Sequence, residues 1–139
     1  MQNIREFLKN DRFAELCGIE LLDVSEGRAR AKMDVKDCHL NGVNIVHGAA
    51  IFALADLVFA ASSNSHGTVA VAINASISFL KAGTGGTLYA EAREVSLNPK
   101  IATYAIDVTD ESGQIIATFQ GMVYRKKDKI EDIDKSLAT

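Results

Sequence analysis

The 139-residue chain has no tryptophan, 6% aromatic residues, one proline, two cysteines and no excess of positive charge. Each scarcity closes a route. Fifteen Lys and Arg against 18 Asp and Glu leave a net charge of -3, whereas a nucleic-acid surface needs clustered cations. The one basic run, Arg125-Lys126-Lys127, is followed at once by Asp128. Cys17 and Cys38 have no CxxC partner, so they suggest neither a zinc cluster nor a disulfide framework. They read as free thiols of a reducing compartment, with a single bridge between them left open. Charges interleave the apolar residues from Met1 to Lys9, so the start of the chain does not read as a signal peptide and a cytoplasmic, soluble protein is expected. The longest apolar run, Gly48 to Ala61, is fourteen residues long and contains Asp56. A membrane span needs about 20 apolar residues, so this run reads as a buried core helix.

What remains is 47% hydrophobic sequence in one domain-sized chain, enough to bury a core without metals or disulfides. No internal repeat or low-complexity linker divides it, so residues 1–139 read as one domain. Residues 1–17 form a helical segment in which Asp11 caps a turn carrying Phe13 and Leu16, and Gly18 ends it. Two strands follow, Ile19 to Val24 and Arg28 to Val35; in the second, Ala29, Ala31, Met33 and Val35 alternate with charged residues. After a loop and the apolar helix the period returns to two. Val69 to Leu80, Thr87 to Ser96, Ile101 to Thr109 and Ile115 to Tyr124 read as strands joined by hairpin-length links, which implies an antiparallel sheet. Residues 125–139 read as a charged, frayed tail with a short helix near Ile130 to Leu137. The whole is α+β: one long helix, apolar on nearly every side, wrapped by a curved antiparallel sheet of five to six strands. The remaining open flank or sheet edge invites a second subunit.

Asp56 contradicts the packing logic of its own helix. Its neighbours three and four residues away are Phe52, Ala53, Phe59 and Ala60, so no cation or amide on that helix can pair with it. An unpartnered buried carboxylate costs several kcal/mol. Either another element satisfies it, or it is kept for chemistry, because desolvation raises its pKa into the range of a general base. The segment before it supplies what such a base needs. A helix starting at His47 or Gly48 leaves free N–H groups that can hold an oxyanion, and Gly48 lets a carbonyl oxygen come close. Asp56 lies about 12 Å farther along the axis at 1.5 Å per residue, so one shared site needs Asp56 of one subunit to face the helix start of another.

Other constellations are weaker. His47 fits a helix cap, and Asn41 and Asn44 fit turn formers. Cys38, His39 and His47 match no zinc spacing, so no metal is expected. Gly83-Thr84-Gly85-Gly86 is followed by Leu88 where a dinucleotide fingerprint has its third glycine, and lacks the Lys of a phosphate loop. Ser62, Ser63 and Ser65 lie beyond the apolar helix without a G-x-S-x-G context, which argues against a serine hydrolase.

Asn41-Gly42, His47-Gly48-Ala49, Leu54-Ala55-Asp56, Phe59-Ala60, Asn64-Ser65 and Ser78-Phe79-Leu80-Lys81, in this order between Leu16 and Tyr124, resemble the hotdog-fold acyl-CoA thioesterases of the phenylacetic-acid-degradation type. The resemblance implies a hotdog fold, dimers with a continuous sheet, tetramers built from two dimers, and hydrolysis of coenzyme A thioesters at sites shared between subunits. It implies Asp56 as general base or nucleophile, Gly48 N–H as oxyanion donor, Asn41 as the group orienting water or substrate, and His47 as a support of the loop. Lys81, Ala82 and Gly83 fall where relatives meet the pantetheine and phosphates. The chain departs from the family pattern at Ala49, where the motif has a second Gly, at Lys81-Ala82, where an Arg-Pro or similar turn is usual, and at Ala72, where some relatives carry Ser.

The reading is therefore a homo-oligomeric acyl-CoA thioesterase with no metal or prosthetic group, coenzyme A being part of the substrate. Ala49, Phe52, Phe59 and Phe79 are the expected walls for a small to medium hydrophobic or aromatic acyl group. Two rivals keep acyl thioesters as ligands: a hydratase or dehydratase of the same fold, and a non-catalytic acyl-CoA-binding protein.

Overall fold

The computed structural model describes residues 2–133. Two short helices, α1 (Gln2–Leu8) and α2 (Arg12–Cys17), precede a hairpin of β1 (Ile19–Ser25) and β2 (Arg28–Asp34). A 3-10 turn over Asp37–His39 leads through a loop into the single long helix α3 (Gly48–Ser63), and β3 (Thr68–Phe79), β4 (Thr87–Leu97), β5 (Ile101–Thr109) and β6 (Ile115–Lys129) complete the chain. All pairings are antiparallel and the six strands lie in the order β1-β2-β4-β5-β6-β3. This is the expected helix wrapped by a curved sheet. No helix of the described residues is long and apolar enough to cross a membrane.

The small residues explain how closely the two layers approach. On β2 and β4 the pairs Ala29↔Ala92 and Ala31↔Ala90 stand directly opposite each other, and all four are buried. Alanines therefore lie on both sides of the contact and not only on the helix, where Ala55 and Ala61 are fully buried. Glycine takes this furthest at Gly121 on β6: a Cβ there would stand 2.5 Å from Phe59 Cζ. Phe59 cannot yield, because its buried ring is flanked by Phe119 at 5.5 Å and Tyr104 at 6.0 Å between centroids. Gly121→Ala is expected to destabilise the fold by about 1–3 kcal/mol through overpacking, seen as a lower urea midpoint at unchanged m-value. An unshifted midpoint would show that the ring has room to move.

The far end of α3 is tied down by side chains. Ser62 Oγ donates to Val58 O at 2.8 Å, Asn64 Nδ2 to Ala60 O at 2.8 Å, and Ser65 Oγ accepts from Gly27 N at 2.8 Å while donating to Ser62 O at 2.6 Å. Beyond it His66 Nε2 meets Glu94 Oε2 at 2.6 Å, and the same oxygen accepts from Tyr104 OH at 2.7 Å. Burial alone would raise the Glu94 pKa, but these two hydrogen bonds and the nearby His66 and Arg125 charges outweigh it and hold Glu94 below the ordinary glutamate value. Ser62 and Ser63 are thus the last residues of the helix rather than residues beyond it.

Three further sequence expectations about the strands and the tail change. Residues 125–129 are not frayed: β6 continues through Lys129 because Arg125 pairs with Ala70 and Lys129 with Thr68 on β3. Of the helix expected near Ile130 to Leu137, a 3-10 turn covers Ile130–Asp132 and the part after residue 133 lies outside the described residues. β3 alternates in sequence but not in burial. It is an edge strand with limited contact to α3, and Val71, Ile73 and Phe79 are all exposed.

Candidate active site

The helix is not covered on every side. Ile51, Leu54, Ala55 and Val58 face the sheet, whereas Ala49, Phe52, Ala53 and Asp56 recur at helical spacing along an open flank. Asp56 is therefore not the buried carboxylate expected from its apolar neighbours. It is exposed at a groove of about 610 Å3 lined by Phe13, Gly48, Ala49, Phe52, Ala53, Asp56 and Phe79. It has no hydrogen-bond partner among the described residues. The surrounding apolar walls still displace much of its hydration, which raises its pKa above the ordinary aspartate value, and the nearby Asp11 carboxylate adds a smaller push in the same direction.

The helix start is arranged so that one amide stays open. His47 is the N-cap: its Nδ1 accepts from Ala49 N at 2.9 Å, and its carbonyl accepts from Ala50 N at 2.9 Å and Ile51 N at 3.2 Å. Gly48 N–H is left without an acceptor among the described residues, at the positive end of the helix dipole. His47 itself is tied to the preceding loop through its N–H, which donates to His39 O at 2.7 Å. A Cβ on Gly48 would meet Phe79 Cζ at 3.0 Å, so the glycine also lets the Phe79 ring lie against the backbone.

Gly48 and Phe79 separate the groove from a second cavity of about 370 Å3, whose lining includes Asn41, Lys81, Ala82 and Gly83. Asn41 builds its own loop there: Oδ1 accepts from Val43 N at 3.0 Å and Ile45 N at 3.3 Å. Lys81 Nζ donates to Gln114 Oε1, and Gly83 O accepts from Val46 N at 2.8 Å. The structure thus brings Gly48, Ala49, Phe52, Phe79 and Asp56 to one groove and Asn41, Lys81, Ala82 and Gly83 to its neighbour. Phe59 belongs to neither; it points the other way, into the core. Phe13 was missed. Its capping signals are legible, but a six-residue helix has too few turns to show which residue faces a distant groove. A further cavity of about 670 Å3 lies on the other face of the sheet, among Arg28, Arg30, Arg93, Glu91 and Asp107, and holds none of the candidate residues. Among the described residues no group of three or more His, Cys, Asp or Glu could hold a metal ion.

A free amide at a helix start can hold a carbonyl oxygen, and a carboxylate of raised pKa can accept a proton; both line one apolar groove. Known proteins share the frame. A protein of Archaeoglobus fulgidus is 45% identical over 127 residues, covering 90% of this chain and 82% of that one. The acyl-coenzyme A thioesterase PaaI of Escherichia coli is 35% identical over 125 residues, 89% of each chain. The solved E. coli PaaI protein of the phenylacetic acid degradation operon superposes with a TM-score of 0.89 at 34% identity, over 92% of this chain and 94% of that one. A Streptococcus mutans protein solved with acetyl CoA bound superposes at 0.76 with 27% identity, over 80% of this chain and 90% of that one. Residues 43–117, from the loop before α3 into β6, match the thioesterase superfamily model. The chain belongs to the thioesterase superfamily and is a hotdog-fold thioester hydrolase.

Proposed function

We propose that the protein hydrolyses acyl-CoA thioesters carrying a small to medium hydrophobic or aromatic acyl group, with no metal or prosthetic group. The observation that carries this reading is the pairing on one open flank of a helix-start N–H without an acceptor and a carboxylate of raised pKa, with apolar walls between them. The thioester oxygen lies against Gly48 N–H, which stabilises the charge that develops on it. Ionised Asp56 takes a proton from water as the water oxygen attacks the carbonyl carbon; collapse breaks the C–S bond and the proton on Asp56 passes to the departing thiolate, releasing the carboxylic acid and the coenzyme A thiol and regenerating the carboxylate. Direct attack by Asp56 through a mixed anhydride uses the same two groups; in single-turnover hydrolysis in 18O-water, label in Asp56 identifies that route with water opening the anhydride at the Asp56 carbonyl, whereas the general-base route labels only the released acid. Asn41 orients water or substrate from its loop, which His47 supports, and Lys81, Ala82 and Gly83 hold the pantetheine and phosphate end.

Gly48 and Asp56 are eight residues apart on one helix, about 12 Å at 1.5 Å per residue. A base and an oxyanion donor need to lie about 3 Å from the same reacting group. The working site therefore joins Gly48 of one protomer to Asp56 of another in a homodimer. The free edge of β3, with Val71 and Ile73 exposed on it, fits that association. A tetramer of two such dimers is the larger assembly implied by the family resemblance.

The test is thiol release from acetyl-, butyryl-, benzoyl- and phenylacetyl-CoA. Binding without release from any of them would favour the acyl-CoA-binding rival, and water addition to an enoyl-CoA without thiol release would favour the hydratase. A pH dependence follows from the base. Protonated Asp56 cannot accept a proton, so kcat/KM falls on the acid side with a midpoint above the ordinary aspartate pKa of about 4. Asp11→Asn removes the nearby negative charge while keeping an N-cap residue, and is expected to move that midpoint down. An unmoved midpoint would show that Asp11 does not act on Asp56 in the working enzyme.

A further inference from the structure

The groove beside Asp56 has one wall that comes from neither α3 nor the strands. Within α2 only Ala14 is buried, whereas Phe13 and Leu16, the large apolar side chains whose removal from water would be most favourable, are 63% and 81% exposed. Leu16 is not part of the groove; Phe13 lines it together with Phe52, Phe79 and Asp56. α2 is anchored at both ends. Asp11 Oδ1 accepts from Ala14 N at 3.0 Å, Gly18 closes the helix in the left-handed region at φ 75°, and the Cys17 carbonyl meets Nε2 of the buried His39 at 2.7 Å. Phe13 is thus an exposed ring on a fixed support, and the groove carrying the reacting groups has three phenylalanine rings in its walls.

We propose that Phe13 is a specificity-determining residue of the thioester site: its ring packs against the acyl group and favours ring-bearing acyl groups over acetyl. This rests on the acyl-CoA reading above. The acyl group is the occupant selected by Phe13 sharing the groove wall with Asp56, the base of that reading. Offset or edge-on packing against phenyl rings, with centroids about 4.5–7 Å apart, suits a flat ring, while an acetyl group ends close to the carbonyl carbon and offers little to pack.

The experiment measures kcat and KM of the full-length wild type, Phe13→Ala and Phe13→Tyr with phenylacetyl-CoA and acetyl-CoA. In Phe13→Ala the ratio of the two kcat/KM values, phenylacetyl over acetyl, is expected to fall about tenfold, mainly through KM, and Phe13→Tyr is expected to restore it. An unchanged ratio in Phe13→Ala overturns the proposal. So does loss of the dimer by sedimentation with the ratio intact, since Phe13 would then serve a partner subunit. If the wild type releases thiol from neither substrate, the hydrolase reading fails on its own. The equilibrium binding ratio of the same two thioesters to wild type and Phe13→Ala then decides Phe13 by the same criterion.

Discussion

Asp56→Asn is expected to lower kcat for thiol release by about 10²- to 10⁴-fold, the range of a positioned general base. Asparagine keeps the shape of the side chain and the outline of the groove, so KM is expected to change little. The variant should also be no less stable than the wild type, which separates a catalytic role from a structural one. Asp56 has no hydrogen-bond partner among the described residues, and its pKa is raised in the folded chain. With the folded pKa above the unfolded one, the native state binds more protons, so stability is lost as pH rises from the unfolded value through the folded one. At neutral pH the ionised carboxylate therefore weighs against the fold, and replacing it leaves the thermal midpoint unchanged or higher, the usual trade between activity and stability at a functional group. A fall in both rate and melting temperature would make Asp56 a structural residue; an unchanged rate would remove it from the mechanism.

Gly48→Pro is expected to cost about 10²- to 10³-fold in kcat, the loss seen when one oxyanion donor is removed. The substitution is selective because the backbone already accommodates it. Gly48 is the first residue of α3, the position where proline is tolerated best because its missing N–H has no helical partner. His47 before it has φ -61° and ψ 136°, the extended conformation that a residue preceding proline adopts. The steric part of the change is read from Gly48→Ala, whose Cβ has the exposed Phe79 ring as its nearest neighbour at 3.0 Å. That ring can turn away, so the alanine variant is expected to lose several-fold rather than hundreds-fold. Equal losses in the two variants would assign the effect to crowding at Phe79 and not to the amide.

The candidate site was legible in unequal parts. Gly48 was visible because a helix starting there leaves free N–H groups and a glycine lets a carbonyl oxygen approach them, and Asp56 because a carboxylate in that apolar run has no helical partner. Its burial was misjudged. Its neighbours on the helix are apolar, but the stripe Ala49, Phe52, Ala53 and Asp56 is the flank that the sheet leaves open. Phe59 was assigned to the wrong side for the same reason. Apart from Asp56 the run is apolar, so its periodicity does not say which phenylalanine meets the sheet and which the groove. Gly121 decides it, because the missing side chain makes room for Phe59 and not for Phe52.

Local spacing and chemistry in the sequence by themselves determined the order of the strands along the chain, the antiparallel links, the single apolar helix and the two residues with unusual chemistry. Period-two alternation, hairpin-length turns and a lone carboxylate are properties of neighbours in the chain. Tertiary structure alone decided that β3 lies at an edge and that Phe13 joins the groove from α2. Both depend on which element meets another distant in sequence, and a helix whose one charged residue is Asp56 carries too little pattern to record it.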